Sequence, residues 1–276
     1  MMPKTETAIV IRKITTNEIH AVEELQKEVW GIPDLDVVPT TQLVAAQAAG
    51  GVLLGAFDGK ILVGFVYGFV SYEHGKAAHH SHMLAVKPVY RNYNLGAKLK
   101  LAQREYVLKQ GITVMSWTFD PLQSPNAYFN FNKLGVISDR YFINFYGADA
   151  ASFLHQNGTD RLWVTWHLTG RFVAEQLEKK GSPPEFEKIK SLVEIGTNDA
   201  PRIGGFGEAL AQAQTVIEIP LDINAIELQN IELAFEWRKA TRKAFIEAIA
   251  AGFVVENFYR SSLGGKYLLS RGKEFV

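Results

Sequence analysis

The sequence predicts an α/β fold, and two observations support this prediction. Strand and helix patterns are interspersed along the first 170 residues and are not separated into blocks. In addition, residues 80–111 predict a strand, a short basic loop and an amphipathic helix that ends at Gly111. The other elements are arranged around this strand–loop–helix segment.

The first part of the chain has clear signals for the start and end of its elements. Thr15 and Glu18 form a capping-box pattern that precedes a helix. Asp58 and Gly59 form a hairpin turn between two strands. The predicted elements before residue 74 are a strand at Ile9 and Ile11, a helix after Thr15, a second helix over 41–49, and strands over 52–57 and 61–72.

The second part of the chain predicts further strands and two helices. Ser124 is expected to cap a short helix that ends at Gly135. The glycine-rich segment 201–207 does not lie between a strand and a helix at the spacing of a nucleotide-binding loop, so we interpret it as a structural or mobile loop. The other predicted elements are strands over 113–119, 137–146, 162–168, 215–219, 253–259 and 266–269, and one long helix over 223–251.

Composition narrows the class of protein and its partners. The chain of 276 residues is 47% hydrophobic and 21% charged, which is ordinary for a globular protein of one or two domains. A net charge of zero and a pI near 7.1 give no electrostatic reason to expect nucleic acid or a membrane surface as partner. The absence of cysteine excludes disulfides, a thiolate nucleophile and a cysteine zinc site. The N-terminal residues lack the apolar run of a signal peptide, so we expect a cytoplasmic protein.

The loop of the central segment has the chemistry of an anion-binding site. The N-terminus of a helix presents unpaired N–H groups and the positive end of its dipole, which together attract phosphate. The residues that carry the pattern are Leu84, Ala85, Val86, Pro88, Arg91, Asn94 and Gly96. This pattern resembles the acetyl-CoA-binding signature of the GNAT acetyltransferase superfamily, which reads Leu-Ala-Val, a proline, then Arg/Gln-x-x-Gly-x-Gly/Ala. Asn94 replaces the first glycine, and asparagine tolerates the left-handed backbone that this turn requires.

A second segment carries the same resemblance. Members of the superfamily have Asn-x-x-Ala-x-x-x-Tyr-x-Lys-x-Gly-Phe on a helix after the fifth strand. The corresponding residues here are Ser124, Ala127, Phe131, Lys133, Gly135 and Val136. Phe131 lacks the hydroxyl that protonates the departing thiolate in many relatives. The longer chain also resembles a bacterial branch of the superfamily that carries HSHML and WTFDPLQ-type segments.

The resemblance implies a GNAT acyl-CoA N-acyltransferase fold, with a mixed central sheet whose fourth and fifth strands splay apart. It implies a core over residues 1–170 and a C-terminal α/β extension over 171–276. It also implies that a strand N–H near residues 84–86, at a bulge, polarises the thioester carbonyl. The residues expected to contact acetyl-CoA are Leu84, Ala85, Val86, Arg91, Asn92, Tyr93, Asn94, Leu95, Gly96, Ala97, Ser124, Ala127 and Phe131.

Three side chains are candidates for proton transfer. His80 and His82 share one face of a strand, and a neutral imidazole can take a proton from an ammonium group. Their register resembles that of arylalkylamine-type GNAT enzymes. Tyr128 lies one turn before Phe131 and could replace its missing hydroxyl, although it could equally pack in the core. A metal site is the alternative for the histidines near residue 80, but His79 points away from His80, so no metal is expected.

These inferences lead to a predicted function with alternatives. We expect an acetyltransferase that moves the acetyl group of acetyl-CoA to a primary amine of a small molecule or peptide, with no metal and with a homodimer as the default oligomer. The alternatives are a GNAT-fold module that binds CoA without turnover, and a transferase that uses a longer acyl-CoA or a hydroxyl acceptor. Arg238 and Arg242 could bind an acidic ligand or form salt bridges with Glu232 or Glu236, while Asp120 could bind a substrate ammonium or cap a turn.

Overall fold

The computed structural model describes residues 9–147, 157–178, 183–273 and 275. Its internal contacts divide the chain into two compact units, and the division in the described chain follows Trp117. The predicted boundary at residue 170 stays a prediction. Within the described residues, no helix combines the length and the apolar character needed to cross a bilayer.

The first unit is a sheet with helices on both faces. Its elements are β1 Val10–Lys13, α1 His20–Trp30, α2 Thr40–Ala48, β2 Val52–Asp58, β3 Ile61–Glu73, β4 Lys76–Val86, α3 Leu95–Lys109 and the first four residues of β5 Val114–Phe119. The strands lie in the order β1-β2-β3-β4-β5. The pairs β1–β2, β2–β3 and β3–β4 are antiparallel, whereas the pair β4–β5 is parallel, so the sheet is mixed.

The core of the first unit follows from the alternation of side chains along β3. Phe65 and Tyr67 point into a cluster with residues of α1 and α2, among them Val22 and Leu43. The opposite face is covered by α3, whose fully buried Leu99 contributes about 1.5–3 kcal/mol of hydrophobic stabilisation. The capping box before α1 is confirmed, because the Glu18 carboxylate accepts hydrogen bonds from the backbone N–H and the hydroxyl of Thr15.

The second unit contains a second run of paired strands. Its elements are α4 Ser124–Ala127, which continues as a π-helix over Tyr128–Leu134, β6 Ile137–Phe142, β7 Arg161–His167, α5 Arg171–Leu177, β8 Ser191–Ile195, β9 Pro201–Ile203, α6 Phe206–Ala211, β10 Gln214–Ile219, α7 Ile223–Gln229, α8 Ile231–Ala250, β11 Val254–Arg260 and β12 Gly265–Ser270. The strands lie in the order β7-β6-β11-β12-β10-β8-β9. The described pairs are antiparallel except β10 with β8.

Two predicted helices differ from those in the structure. The predicted helix over 223–251 is two helices, because Asn230 has an extended backbone and its side chain accepts a hydrogen bond from the N–H of Leu233. Asparagine at this position therefore starts a new helix. The predicted cap at Ser124 is also wrong, since Gln123 is the N-cap and Ser124 is already helical.

One predicted strand and one predicted loop also differ from the structure. The strand predicted over 137–146 ends at Phe142. The segment 201–207, interpreted as a loop, contains the short strand β9 and the start of α6. Between them, a Cβ on Gly204 would lie 1.9 Å from the carbonyl oxygen of Ser191, so only glycine permits this close approach of two backbones.

Candidate functional site

The face of β4 that points away from α3 carries the two candidate histidines. The imidazole rings of His80 and His82 lie 6.1 Å apart between centroids. Phe69 of β3 lies 5.3 Å from the His80 ring and 5.7 Å from the His82 ring, and Tyr67 lies 6.1 Å from His82. The two imidazoles therefore form one aromatic group with the neighbouring strand, and their catalytic role stays a prediction.

A bulge in β4 falls at His82. Tyr67 pairs with Met83 and the next residue of β3, Gly68, pairs with Ser81, so His82 is the extra residue of β4. The resemblance placed a bulge near residues 84–86, but these residues pair regularly with β3. The bulge thus lies earlier in the strand than expected, at one of the candidate catalytic residues.

The environment of the histidines lowers the pKa of both imidazoles. Burial lowers the pKa of His80 to about 4, with smaller contributions from the charges of His82 and Lys100. The aromatic neighbours of His82 lower its pKa below 6.5 by desolvation, although part of the residue is open to solvent. A neutral imidazole is the form that can accept a proton, so a lowered pKa suits the role of a base.

The parallel pairing of β4 with β5 involves only part of β4 in the described register. His79 pairs with Met115 and His80 with Ser116, and the described register of the two strands ends there. The part of β4 that continues beyond this point contains Leu84, Ala85 and Val86, of which Ala85 is buried and the other two are partly buried. The predicted acetyl-CoA residues of β4 therefore follow the last described β4–β5 pair.

The loop after β4 forms the turn that the sequence predicts. Residues Pro88–Tyr93 make a 3₁₀ turn, and Asn94 has a left-handed backbone with a φ of 55°. The N–H of Lys98 donates the first bond of α3, to the Asn94 carbonyl at 3.2 Å. The N–H groups of Leu95, Gly96 and Ala97 precede this bond, so the helix provides them with no acceptor.

In the 3₁₀ turn after β4, Tyr90 is held by a hydrogen bond, whereas Arg91 and Tyr93 are exposed to solvent. The Tyr90 hydroxyl donates a 2.6 Å hydrogen bond to Asp58, which ties the turn to the β2–β3 hairpin. Arg91 and Tyr93 are exposed, as an anion-binding arginine should be. The side chain of Asn92 lies outside the described part of the structure. The arrangement is an open helix N-terminus with a cationic side chain beside it.

The other candidates for acetyl-CoA contact and acid catalysis belong to the second unit. Ser124, Ala127 and Phe131 are buried, and Tyr128 is partly buried. The ring of Phe131 packs in an aromatic cluster, 5.7 Å from the ring of Tyr267. The Ser124 hydroxyl is buried without a hydrogen-bond partner among the described residues, a state that a ligand could relieve.

Arg238, Arg242 and Asp120, for which the sequence allowed either ligand binding or a structural role, take part in a charge network in the second unit. Arg238 donates two 2.7 Å hydrogen bonds to Asp120, and Arg242 donates bonds of 2.7 and 2.9 Å to Asp160. Asp120 also accepts the N–H of Leu122, so it caps a turn. The salt-bridge interpretation holds, although the partners are not the glutamates near in sequence.

Asp160 was not singled out in the sequence. Its carboxylate also accepts a 2.6 Å hydrogen bond from the Tyr141 hydroxyl. Burial would raise the pKa of Asp160, but the hydrogen bonds from Arg242 and Tyr141 outweigh burial and lower it. Asp160 and Arg242 are 82 positions apart, so no local pattern could have predicted the pair.

Within the described residues, no group of three histidine, aspartate or glutamate side chains is arranged to hold a metal ion.

The fold is of the mixed α/β class, and its β4–α3 segment combines a left-handed turn with a helix N-terminus. Residues 18–135 match the model of the acetyltransferase (GNAT) family. The match confirms the predicted resemblance and the predicted fold over this part of the chain. No curated protein sequence matched the chain.

Solved structures of acetyltransferases are similar to this chain at low sequence identity. The ribosomal-protein-S18-alanine N-acetyltransferase from Escherichia coli is 14% identical with a TM-score of 0.47, over 58% of this chain and 94% of that chain. A GNAT family acetyltransferase from Elizabethkingia anophelis, solved with acetyl-CoA bound, is 14% identical with a TM-score of 0.46, over 59% and 99%. The PaiA N-acetyltransferase from Thermoplasma acidophilum, in complex with coenzyme A, is 17% identical with a TM-score of 0.43, over 58% and 99%.

Proposed function

We propose that this protein transfers an acetyl group from acetyl-CoA to a primary amine of a small molecule or peptide. The observation that carries the proposal is the pair of imidazoles, 6.1 Å apart, on one face of β4, the strand that leads into the N-terminus of α3. Both features lie within the segment that matches the GNAT family. The family supports acetyl transfer, whereas the amine acceptor rests on the chemistry of the histidines.

The residues present suit acetyl-CoA as co-substrate. The pyrophosphate would accept hydrogen bonds from the N–H groups of residues 95–97, and Arg91 would add positive charge. The left-handed backbone at Asn94 supplies the turn that the family builds with glycine. The unpartnered hydroxyl of Ser124 is proposed to hydrogen-bond the pantetheine arm.

The proposed reaction is direct attack of the amine on the thioester. An alkyl ammonium with a pKa near 10.4 must lose its proton before attack, and His82 or His80 accepts it directly or through water. The amine nitrogen then forms a bond to the acetyl carbon and gives up its second proton to the other imidazole or to water, the carbon–sulfur bond breaks, and the sulfur leaves as thiolate. A thiol with a pKa near 8.5 leaves without a strong acid, and Tyr128 is the proposed donor of the proton it finally takes up.

The proposal is tested by calorimetry followed by an amine screen. Purified protein is titrated with acetyl-CoA, CoA and dephospho-CoA, and release of free thiol is then measured with a panel of amines. Binding of acetyl-CoA with thiol release supports the proposal. Binding without release from any amine or alcohol would favour a module that retains CoA, and thiol release with longer acyl-CoAs or alcohols alone would change the substrate class.

Substitution of Gly96 tests the phosphate site. Gly96→Val places a branched side chain in the first turn of α3, where a phosphate would approach the backbone. We expect at least about a tenfold loss of acetyl-CoA affinity in calorimetry, because the backbone N–H groups can no longer be reached. Lys109→Met, at the other end of the same helix, is the control. Undiminished affinity of Gly96→Val would place the cofactor elsewhere.

Substitution of His82 tests the base. His82→Ala is expected to lower kcat by about 10²-fold or more, with acetyl-CoA affinity close to wild type. A base must be unprotonated, so the wild-type rate should fall as the pH drops through the lowered histidine pKa values, below 6.5. In the variant this acidic limb should shift. His20→Ala, an exposed imidazole on α1, is the control. A profile unchanged by His82→Ala would remove His82 from catalysis.

A cytoplasmic location, a homodimer, and the absence of nucleic-acid and membrane partners stay predictions.

A further inference from the structure

A chain of buried polar side chains lies beneath the histidine face of β4. His79 and Ser81 alternate with His80 and His82 and therefore point to the opposite face of the sheet, toward α3. On α3, Lys100 and Gln103 are one turn apart and face β4. All four of these polar side chains are at most 4% exposed.

The hydrogen bonds of this polar chain have one consistent direction. Lys100 donates to the Ser81 hydroxyl at 2.7 Å, and Ser81 donates to the Gln103 carbonyl at 2.8 Å. The Gln103 amide lies 3.1 Å from Nε2 of His79, and it donates there because its oxygen already accepts from Ser81. His79 is thus the neutral tautomer with its proton on Nδ1, and burial lowers its pKa to about 3.

The same polar chain coincides with the bulge. Ser81 is the residue immediately before His82, and its partner across the ladder is Gly68. A Cβ on Gly68 would lie 2.4 Å from Nε2 of His79 and 2.8 Å from Nε2 of Gln103. The absence of a side chain at Gly68 therefore leaves room for the His79–Gln103 hydrogen bond. Because Gly68 also pairs with Ser81 next to the bulge, the polar chain and the bulge pack against each other.

The ammonium or amine of Lys100 has a second contact. Its Nζ lies 3.4 Å from the centroid of the Trp117 ring on β5. Lys100 thus joins three elements, since it lies on α3, donates to β4 and packs on β5. It also follows the proposed phosphate-binding residues 95–97 on the same helix.

We propose that Lys100 and Gln103 are positioning residues that act through Ser81 and His79 to fix the β4 bulge, and with it the orientation of His82 beside His80. A bulge is a local distortion that the ladder hydrogen bonds do not determine by themselves. The polar chain supplies side-chain bonds to His79 and Ser81, the two inward-pointing residues that precede the distortion. The functional part of this inference, the orientation of a catalytic base, rests on the proposed function. The structural part, that the polar chain fixes the bulge, does not.

The test measures the imidazoles themselves. Nitrogen-15 NMR of the full chain follows the titration of His80 and His82 in wild type, Ser81→Ala, Lys100→Met and the control Lys109→Met, which makes the same change at an exposed position of α3. We expect Ser81→Ala and Lys100→Met to move the His82 midpoint by about half a pH unit or more, and Lys109→Met to leave it in place.

Ser81→Ala is decisive because it changes no charge, whereas Lys100→Met also alters the electrostatic field at His80. It also removes only one oxygen, so it still decides the proposal if Lys100→Met does not fold. A wild-type His82 midpoint in Ser81→Ala would overturn the positioning role. Failure of the wild type to bind acetyl-CoA in calorimetry would instead overturn the proposed function and leave the NMR result interpretable.

Discussion

Arg238→Met is expected to lower the free energy of unfolding by about 3–5 kcal/mol, because it removes one partner of a buried ion pair. The Arg238 side chain is 4% exposed, and its two hydrogen bonds to Asp120 are 2.7 Å long. It also donates to the carbonyl of Asn157 at 2.8 Å. Methionine fills much of the volume but leaves the carboxylate and the carbonyl without these donors.

The measurement is urea unfolding at pH 7, with Arg171→Met as the matched control. Arg171 forms an ion pair with Glu175 at the same 2.7 Å distance, but its side chain is 86% exposed. Solvent screening makes such an exposed pair worth little to stability, so we expect only a small loss in Arg171→Met. Similar losses in the two variants would show that burial does not set the value of the Arg238 pair.

Gly68→Ala is expected to destabilise the first unit by about 1–3 kcal/mol or more through overpacking. The added methyl group would lie 2.6 Å from the carbonyl oxygen of His80 and even closer to the His79 ring. The carbonyl belongs to the neighbouring strand, so relief requires β3 and β4 to move apart. The hydrogen bond between His79 and Gln103 would be lost as well.

Thermal unfolding of Gly68→Ala is compared with Gly207→Ala. A Cβ on Gly207 meets no atom within 4 Å, and the residue lies in helix α6. Alanine is favoured over glycine in a helix, so this control should be unchanged or more stable by up to about 1 kcal/mol. A Gly68→Ala protein as stable as wild type would mean that the strand pair adapts without cost.

The elements of the first unit could be predicted because their signals are local. The capping box of Thr15 and Glu18, the hairpin turn at Gly59 and the left-handed residue Asn94 each depend on a few adjacent residues. The bulge at His82 could not be predicted, since the alternation of side chains does not reveal an extra residue in one strand. The buried amine of Lys100 was hidden for a similar reason, because lysine is normally a surface residue.

The second unit was predicted less well because its determinants are distant in sequence. Asp120 finds its partner 118 positions away, at Arg238, although two glutamates lie nearer to Arg238 in sequence. Asn230 divides one predicted helix into two, since its side chain competes with the helical backbone. The roles of Ser124, Ala127, Phe131 and Tyr128 stay predictions, as do those of the β4 and loop residues.

The pairing of the strands has a consequence for the order in which the chain folds. Tight turns join β2 to β3 and β3 to β4, so these contacts close short loops and can form as soon as the residues are available. The strand β1 pairs with β2 across the two helices, with its nearest pair, Lys13 and Leu54, 41 positions apart. By contrast, β6 pairs with β11 through Ser138 and Val255, which are 117 positions apart. On a ribosome the β1–β4 meander could therefore be complete while the β6–β11 pair still awaits residues more than a hundred positions downstream.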